Sequence, residues 1–426
     1  MTSFSHLLPW RAGRGRPENW TAQSWLSRAR AKPGALILVV AAVTFGLIGF
    51  AVSDPQTLFW DFRSAYYPAG AAVLHGASLS PFIHKGIWGF VNLPAMAWLF
   101  APFAVVSAKI AALLFTFTGI CALAIAYLLM VDLARLTSIG RAWLLLAMSV
   151  NGPLIYSLKL GNTSHIVLAM LAGGLWLLRR KLVLLAGVLL GIAALVKLPL
   201  LLFGAYFLLR RNYLAAMGFF GLILAAFVVS VGIFGWGLHV QWYEDDIRTF
   251  NSHALAAFNV QSLQSFLVRL REPAPPLADW QLYVPLPEAR YLALSGTLAL
   301  LAFFFWCNVI PRREQDPTRA IERQNYEYLA VIVLCLISSP LSWTHYYCWL
   351  LLPAAFVIGQ ATRGGKLPWI SVAGLMLATP LVLLLHPGSD GLAAFYEKAI
   401  VSIWLLGGIV LFVTLSLATR TADRLR

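Results

Sequence analysis

Asp61 is the only acid in Phe59-Trp60-Asp61-Phe62-Arg63-Ser64-Ala65-Tyr66-Tyr67, an aromatic-rich stretch just beyond an apolar run. A carboxylate there is costly to desolvate without a partner, and one so placed is suited to take a proton from a hydroxyl. The structural alternative is that Asp61 pairs with Arg63 and caps an interfacial helix. Lys197, in Leu195-Val196-Lys197-Leu198-Pro199, has no acidic neighbour in sequence and lies between two apolar runs. A lone cation at that position suits a phosphate group, whereas a structural lysine would snorkel to the headgroups. His345, in Ser339-Pro340-Leu341-Ser342-Trp343-Thr344-His345-Tyr346-Tyr347, sits where one helix ends at a proline and the next begins. It could donate to a phosphate or sugar hydroxyl while the flanking rings stack on a pyranose, or it could belong to an aromatic belt.

Two further segments hold polar groups between apolar runs. One is the turn Gly161-Asn162-Thr163-Ser164-His165. The other is the long segment 236–290, with Asn259-Val260-Gln261-Ser262, Arg269 and the acidic run Glu244-Asp245-Asp246. Adjacent carboxylates can bind a divalent ion, although a charge run on a loop is more often a solvated face. Cys121, Cys307, Cys335 and Cys348 lie in or beside apolar runs with no C-x-x-C pair, which reads as packing rather than metal binding.

These groups need a membrane scaffold. The chain has 60% hydrophobic and only 12% charged residues, with a mean hydropathy of +0.76, too much apolar surface for a soluble core of 426 residues. Crossings are expected at about 35–53, 109–130, 142–158, 166–178, 182–196, 198–209, 213–235, 291–310, 327–341, 346–360, 367–385 and 400–418. The stretch 93–106, broken by Pro94 and Pro102, reads as a re-entrant or juxtamembrane helix, because counting it as a crossing would put Arg179-Arg180-Lys181 outside. The expectation is an all-α polytopic membrane protein of about 12 transmembrane helices. It has a basic cytoplasmic arm at 1–34, one membrane domain at 35–418 with outer loops 54–108 and 236–290, and a cytoplasmic tail at 419–426.

The net charge of +15 would point to nucleic acid in a soluble protein, but here the basic residues cluster in short inter-helix segments. Most of the 32 Lys and Arg residues then fall on the cytoplasmic side, while the outer side is close to neutral. Asp61, the Gly161 turn, Lys197, segment 236–290 and His345 share the outer face. A site assembled there has no access to cytoplasmic nucleotides, so its substrates are expected to be lipid-linked or exported. A transporter of lipid-linked saccharides and a non-catalytic scaffold are the readings from other classes. The chain shows no internal repeat of the kind transporters carry.

In this order the motifs resemble the membrane glycosyltransferases of the C-type fold, and most of all glycosyltransferase family 87. The features that carry the resemblance are the Asp61 loop with Tyr67, Ala71 and Leu74-x-Gly76, the Gly161-Asn162 turn, Gly187-x-x-x-Gly191 with Lys197-x-Pro199, the Asn259-to-Arg269 segment and Ser339-Pro340-Leu341-Ser342-Trp343-x-His345. The chain departs from the family in carrying Asn162 where Gln is common, and Thr344 and Tyr346 beside His345 where an acid or second His is frequent.

The resemblance implies an inverting transfer of one hexose, with mannose expected, from a polyprenyl-phosphate sugar to a lipid or glycan acceptor at the outer face of a bacterial plasma membrane. Asp61 is then the general base. Lys197, His345, Asn162, His165, Trp343 and Arg63 would hold donor phosphate and sugar, and Tyr66, Tyr67, Asn259, Gln261 and Arg269 the acceptor or closing loop. No cofactor is implied; a divalent metal is compatible with the transfer but not required by it. The implied partners are the donor, the acceptor and membrane lipids, with no nucleic acid.

Overall fold

The computed structural model describes residues 33–51, 58–270, 277, 280–309, 317–365, 369–379 and 400–421. Residues 1–32 of the expected basic arm 1–34, residues 367–368 and 380–385 of the expected 367–385 crossing, and tail residues 422–426 lie outside the described residues.

The chain is mostly helical. Among the described residues, four helices are long and apolar enough to cross a membrane: Ala108–Leu133, Tyr213–Ser252, Pro287–Asn308 and Ile400–Thr419. A fifth comes from Ser138–Ser149 and Gly152–Leu160 counted as one span bent by 54°. Other expected crossings are short apolar helices, such as Ser164–Arg179 and Val183–Val196, each below the roughly 20 residues of a full hydrocarbon crossing. On the first long helix, Ile110, Leu113, Phe117, Ile120 and Leu128 are exposed, the pattern of a face made for lipid rather than water.

We number the helices that position the site α1 (Gly152–Leu160), α2 (Ser164–Arg179), α3 (Val183–Val196) and α4 (Tyr213–Trp242). Asn151 caps α1, its Oδ1 accepting from the Leu154 N–H at 2.8 Å. The helix ends at Gly161, whose φ of +63° is the left-handed C-cap conformation. Glycine is needed there for a second reason: a Cβ would stand 2.8 Å from the Phe62 Cβ. The Asp61 segment thus docks directly on the end of α1, and the Phe59 N–H donates to the Lys159 carbonyl at 2.6 Å.

Helices α3 and α4 meet backbone to backbone. A Cβ on Gly187 would lie 2.0 Å from the Ala215 carbonyl oxygen, and one on Gly218 2.4 Å from that of Leu184. Small residues allow this approach where lipid supplies no hydrophobic drive between helices. Buried Glu327 joins Arg323 (2.9 Å) and Arg210 (3.1 Å), tying Leu202–Leu209 to Pro317–Ser338. The Glu327 carboxylate is thereby paired on both oxygens rather than left bare in the interior.

The segments expected outside the membrane are more ordered than the sequence suggests. Residues 94–105 form two 3₁₀ turns, Pro94–Leu99 and Ala101–Val105, because the prolines interrupt a regular helix. Tyr66 stacks on Phe100 with ring centroids 4.6 Å apart. The expected 236–290 loop begins as helix: α4 changes direction at Gly235 (φ 78°) and continues to Trp242. His239 spans the break, its Nδ1 2.7 Å from the Gly235 carbonyl and its Nε2 2.7 Å from Ser230 Oγ. The same loop holds a small antiparallel pair, β1 (Ala254–Leu255) with β2 (Leu282–Tyr283), a minor departure from the expected all-α chain.

Candidate active site

Asn162 organises the first half of the site. Its Oδ1 accepts from the Ser164 N–H at 3.1 Å and the Ser164 hydroxyl at 2.9 Å, an Asx-type turn that opens α2. With Oδ1 so occupied, the amide Nδ2 faces the other way and donates to Asp61 Oδ2 at 2.6 Å, with Tyr66 Oη 3.4 Å away. Phe59, two residues before Asp61, has φ +58°. A non-glycine residue there carries strain of order 1–2 kcal/mol, held in place by its bond to Lys159. Burial raises the Asp61 carboxyl above its ordinary value, and the Asn162 bond and the Lys197 charge oppose that rise.

Lys197 follows the last turn of α3. Asn92 donates to the Leu195 and Val196 carbonyls (3.4 and 2.9 Å), fixing the end of that turn. The Lys197 ammonium is buried and lies 4.7 Å from the centroid of the Tyr346 ring. His345 stacks parallel to Trp343 at 6.1 Å and meets Tyr346 edge-on at 5.0 Å. Among the described residues, neither of its ring nitrogens has a hydrogen-bond partner.

These side chains line one cleft of about 520 Å³, a size suited to a ligand. Asp61, Asn162, Lys197, His345, Trp343, Tyr66 and Asn259 all reach it, and Asp61 is the only acid among the lining residues. Asn259 donates to Tyr156 Oη at 3.1 Å and accepts from Trp280 Nε1 at 3.3 Å. The Thr344 N–H donates to the Asn259 carbonyl at 2.8 Å, so the long loop and the His345 segment form one wall.

Five residues named from the sequence stand elsewhere. Arg63 is exposed and outside the cleft wall, two residues from Asp61 on a helical turn that sends the two side chains apart, and no ion pair joins them. His165 sits behind the cleft, its Nδ1 3.0 Å from Ser157 Oγ and its Nε2 packed where a Cβ on Gly119 would come within 2.2 Å. Tyr67 donates to the Val106 carbonyl at 2.9 Å and braces the 54–108 segment. Gln261 is buried, with Nε2 donating to the Phe258 and Val401 carbonyls. Arg269 is likewise buried; its guanidinium donates to the carbonyls of Ala256, Ala257 and Val260 and to Ser402 Oγ. It ties down the loop that carries Asn259 and is not among the residues lining the cleft.

Trp88, Tyr156, Lys159 and Trp280 also line the cleft and fall outside the sequence reading. A signal existed for Lys159, a cation on the expected outer face, two residues before the Gly161-Asn162 turn. Trp88 and Trp280 carry no comparable signal, since nothing in the local sequence fixes where an indole points. The acidic run diverges: Glu244 pairs with Arg248 at 2.7 Å, Asp245 lies 3.1 Å from His84, and Asp246 is buried apart from them. No group of three His, Cys, Asp or Glu side chains at metal-binding spacing occurs among the described residues.

The family model for glycosyltransferase family 87 matches residues 90–340, more than half of the chain. The chain belongs to glycosyltransferase family 87. Two curated proteins similar to this family 87 chain carry one name, polyprenol-phosphate-mannose-dependent alpha-(1-2)-phosphatidylinositol mannoside mannosyltransferase. The one from Mycobacterium tuberculosis is 30% identical over 207 residues, 46% of this chain and 43% of that protein. The one from Mycolicibacterium smegmatis is 25% identical over 316 residues, 69% of this chain and 68% of that protein. The chain thus spans less than half the length of the first relative in the match. No solved structure matches it.

Proposed function

We propose that this family 87 protein is a membrane mannosyltransferase that moves one mannose from a polyprenyl-phosphate donor to a hydroxyl of a lipid or glycan acceptor, at the outer face of a bacterial plasma membrane. The scaffold is a single membrane domain of the C-type with about twelve crossings and both termini cytoplasmic. The observation that carries the reading is the joint lining of one cleft by its single acid, Asp61, and the buried cation Lys197. The names of the two relatives support the donor and a lipid acceptor.

In the reaction the acceptor oxygen attacks the sugar C1 from the face opposite the phosphate, with inversion. Asp61 takes the hydroxyl proton as the new C–O bond forms. The bond from C1 to the phosphate oxygen breaks, and its electron pair leaves on the polyprenyl phosphate. Lys197, with His345 beside it, offsets that charge. Asn162 holds the Asp61 carboxylate in one orientation, and Asn259 and Tyr156 offer hydrogen bonds to sugar hydroxyls. The leaving group is a phosphate monoester that side-chain cations can hold, so the reading calls for no metal.

The test is transfer of radiolabelled mannose from polyprenyl-phosphate mannose to a lipid extract, with purified protein in nanodiscs. Asp61→Asn is expected to lower turnover by about 10²–10⁴-fold while the donor still binds. Near-normal turnover by that variant would remove Asp61 as the base.

A further inference from the structure

Trp60, Trp88 and Trp280 come from three distant parts of the chain and meet on the wall of the cleft that holds Asp61. Trp60 and Trp88 stand edge to face, with centroids 6.4 Å apart and planes at 82°. Trp88 and Trp280 are 5.8 Å apart at 60°, and Phe258 extends the row from Trp280 at 5.9 Å. The rings are held in place. The Trp88 turn is closed by Gly86 (φ +56°) and by Gly89, where a Cβ would lie 2.0 Å from the Phe82 carbonyl oxygen. Trp280 is anchored by its indole N–H to Asn259.

Packing has not covered these indoles. Trp60 remains 48% exposed and Trp88 47%, whereas Lys197 behind them is 6% exposed. The site is therefore graded, with cation and carboxylate inside and uncovered aromatic surface at the mouth. Belt tryptophans anchor at headgroup level around a protein's circumference. These three instead converge on one another across a polar cleft. Flat indole surface is complementary to the C–H face of a pyranose, whose hydroxyls stay free at the ring edge for hydrogen bonds.

We propose that Trp60, Trp88 and Trp280 form an acceptor subsite, their indole faces stacking on sugar rings already attached to the acceptor. The inference rests on the transfer reading above, with the donor sugar held at the Lys197 end.

Two measurements on the nanodisc-embedded full chain test it. In the first, octyl monosaccharides and the corresponding disaccharides, in manno and gluco series, compete as acceptors at fixed polyprenyl-phosphate mannose. The disaccharide of at least one series is expected to have a KM about tenfold lower. Trp88→Ala and Trp280→Ala should each remove most of that difference without moving the donor KM, and Trp88→Phe should retain it. Equal KM values for mono- and disaccharides in wild type, or a change in the donor KM alone, would overturn the subsite.

In the second, calorimetric titration with the same free disaccharides needs no transfer at all. Binding that Trp88→Ala abolishes, in a variant with unchanged melting temperature, supports the subsite even if the donor assignment fails. No saccharide binding by wild type overturns it, whatever the donor assay shows. If Trp88→Ala does not fold, Trp280→Ala and Trp88→Phe carry the comparison.

Discussion

A single amide sets the chemistry available to Asp61. Because Ser164 occupies the Asn162 carbonyl oxygen, the Nδ2 group is left to donate to the carboxylate at 2.6 Å. A donor to the charged form lowers a carboxyl's pKa, against the desolvation that raises it. Activity that needs ionised Asp61 is lost as pH falls through that raised value, so the acid limb of the rate profile should lie above the ordinary carboxylate range. Asn162→Ala removes the opposing bond, and the limb is expected to move to still higher pH, with kcat/KM against pH as the measurement. An unmoved limb would mean that Asn162 orients Asp61 without tuning it.

Elements bring these residues together through close backbone contact. Lys197 is where it is because α3 runs against α4 with glycines at the crossing, and because Asn92 fixes the last turn of α3. A methyl at Gly187 would press on the Ala215 carbonyl oxygen, which as backbone cannot swing aside. Gly187→Ala is expected to destabilise by about 1–3 kcal/mol, the usual range for overpacking. Gly221→Ala, on α4 with open space around it, is the matched control and should leave the melting temperature unchanged or slightly raised. Thermal melts in one detergent compare the two. Equal melts would show that the helices separate at little cost.

For the whole molecule, the orientation in the membrane decides which substrates can reach the cleft. By the charge bias the clusters at Arg179-Arg180-Lys181 and Arg363-x-x-Lys366 are expected on the cytoplasmic side and residue 236 on the outer side. Reporter fusions after residues 181, 236 and 366 should read in, out and in. An outer location for residue 181 would reverse the cleft and remove the lipid-linked donor's claim to it. The bent pair Ser138–Ser149 and Gly152–Leu160 shows how a break shapes the site: the bend at Asn151 divides one apolar run and turns its second half toward the Asp61 segment.

Composition and hydropathy by themselves determined that this chain lives in a membrane, and residue type and spacing singled out Asp61, Asn162, Lys197, Asn259 and His345 before any contact was known. They stood out because ionisable or amide groups between apolar runs are costly unless used, so position alone marks them. The same argument also picked His165, Gln261 and Arg269, since a buried polar residue bonded inside the protein, to a hydroxyl or to carbonyls, has the same sequence signature as one facing a ligand. Only the tertiary structure could separate them. Tertiary contacts alone also turned Trp88 and Trp280 into the cleft and Arg63 out of it. For an amphipathic indole or a guanidinium at the membrane surface, no local pattern fixes the direction; the approach of distant segments does.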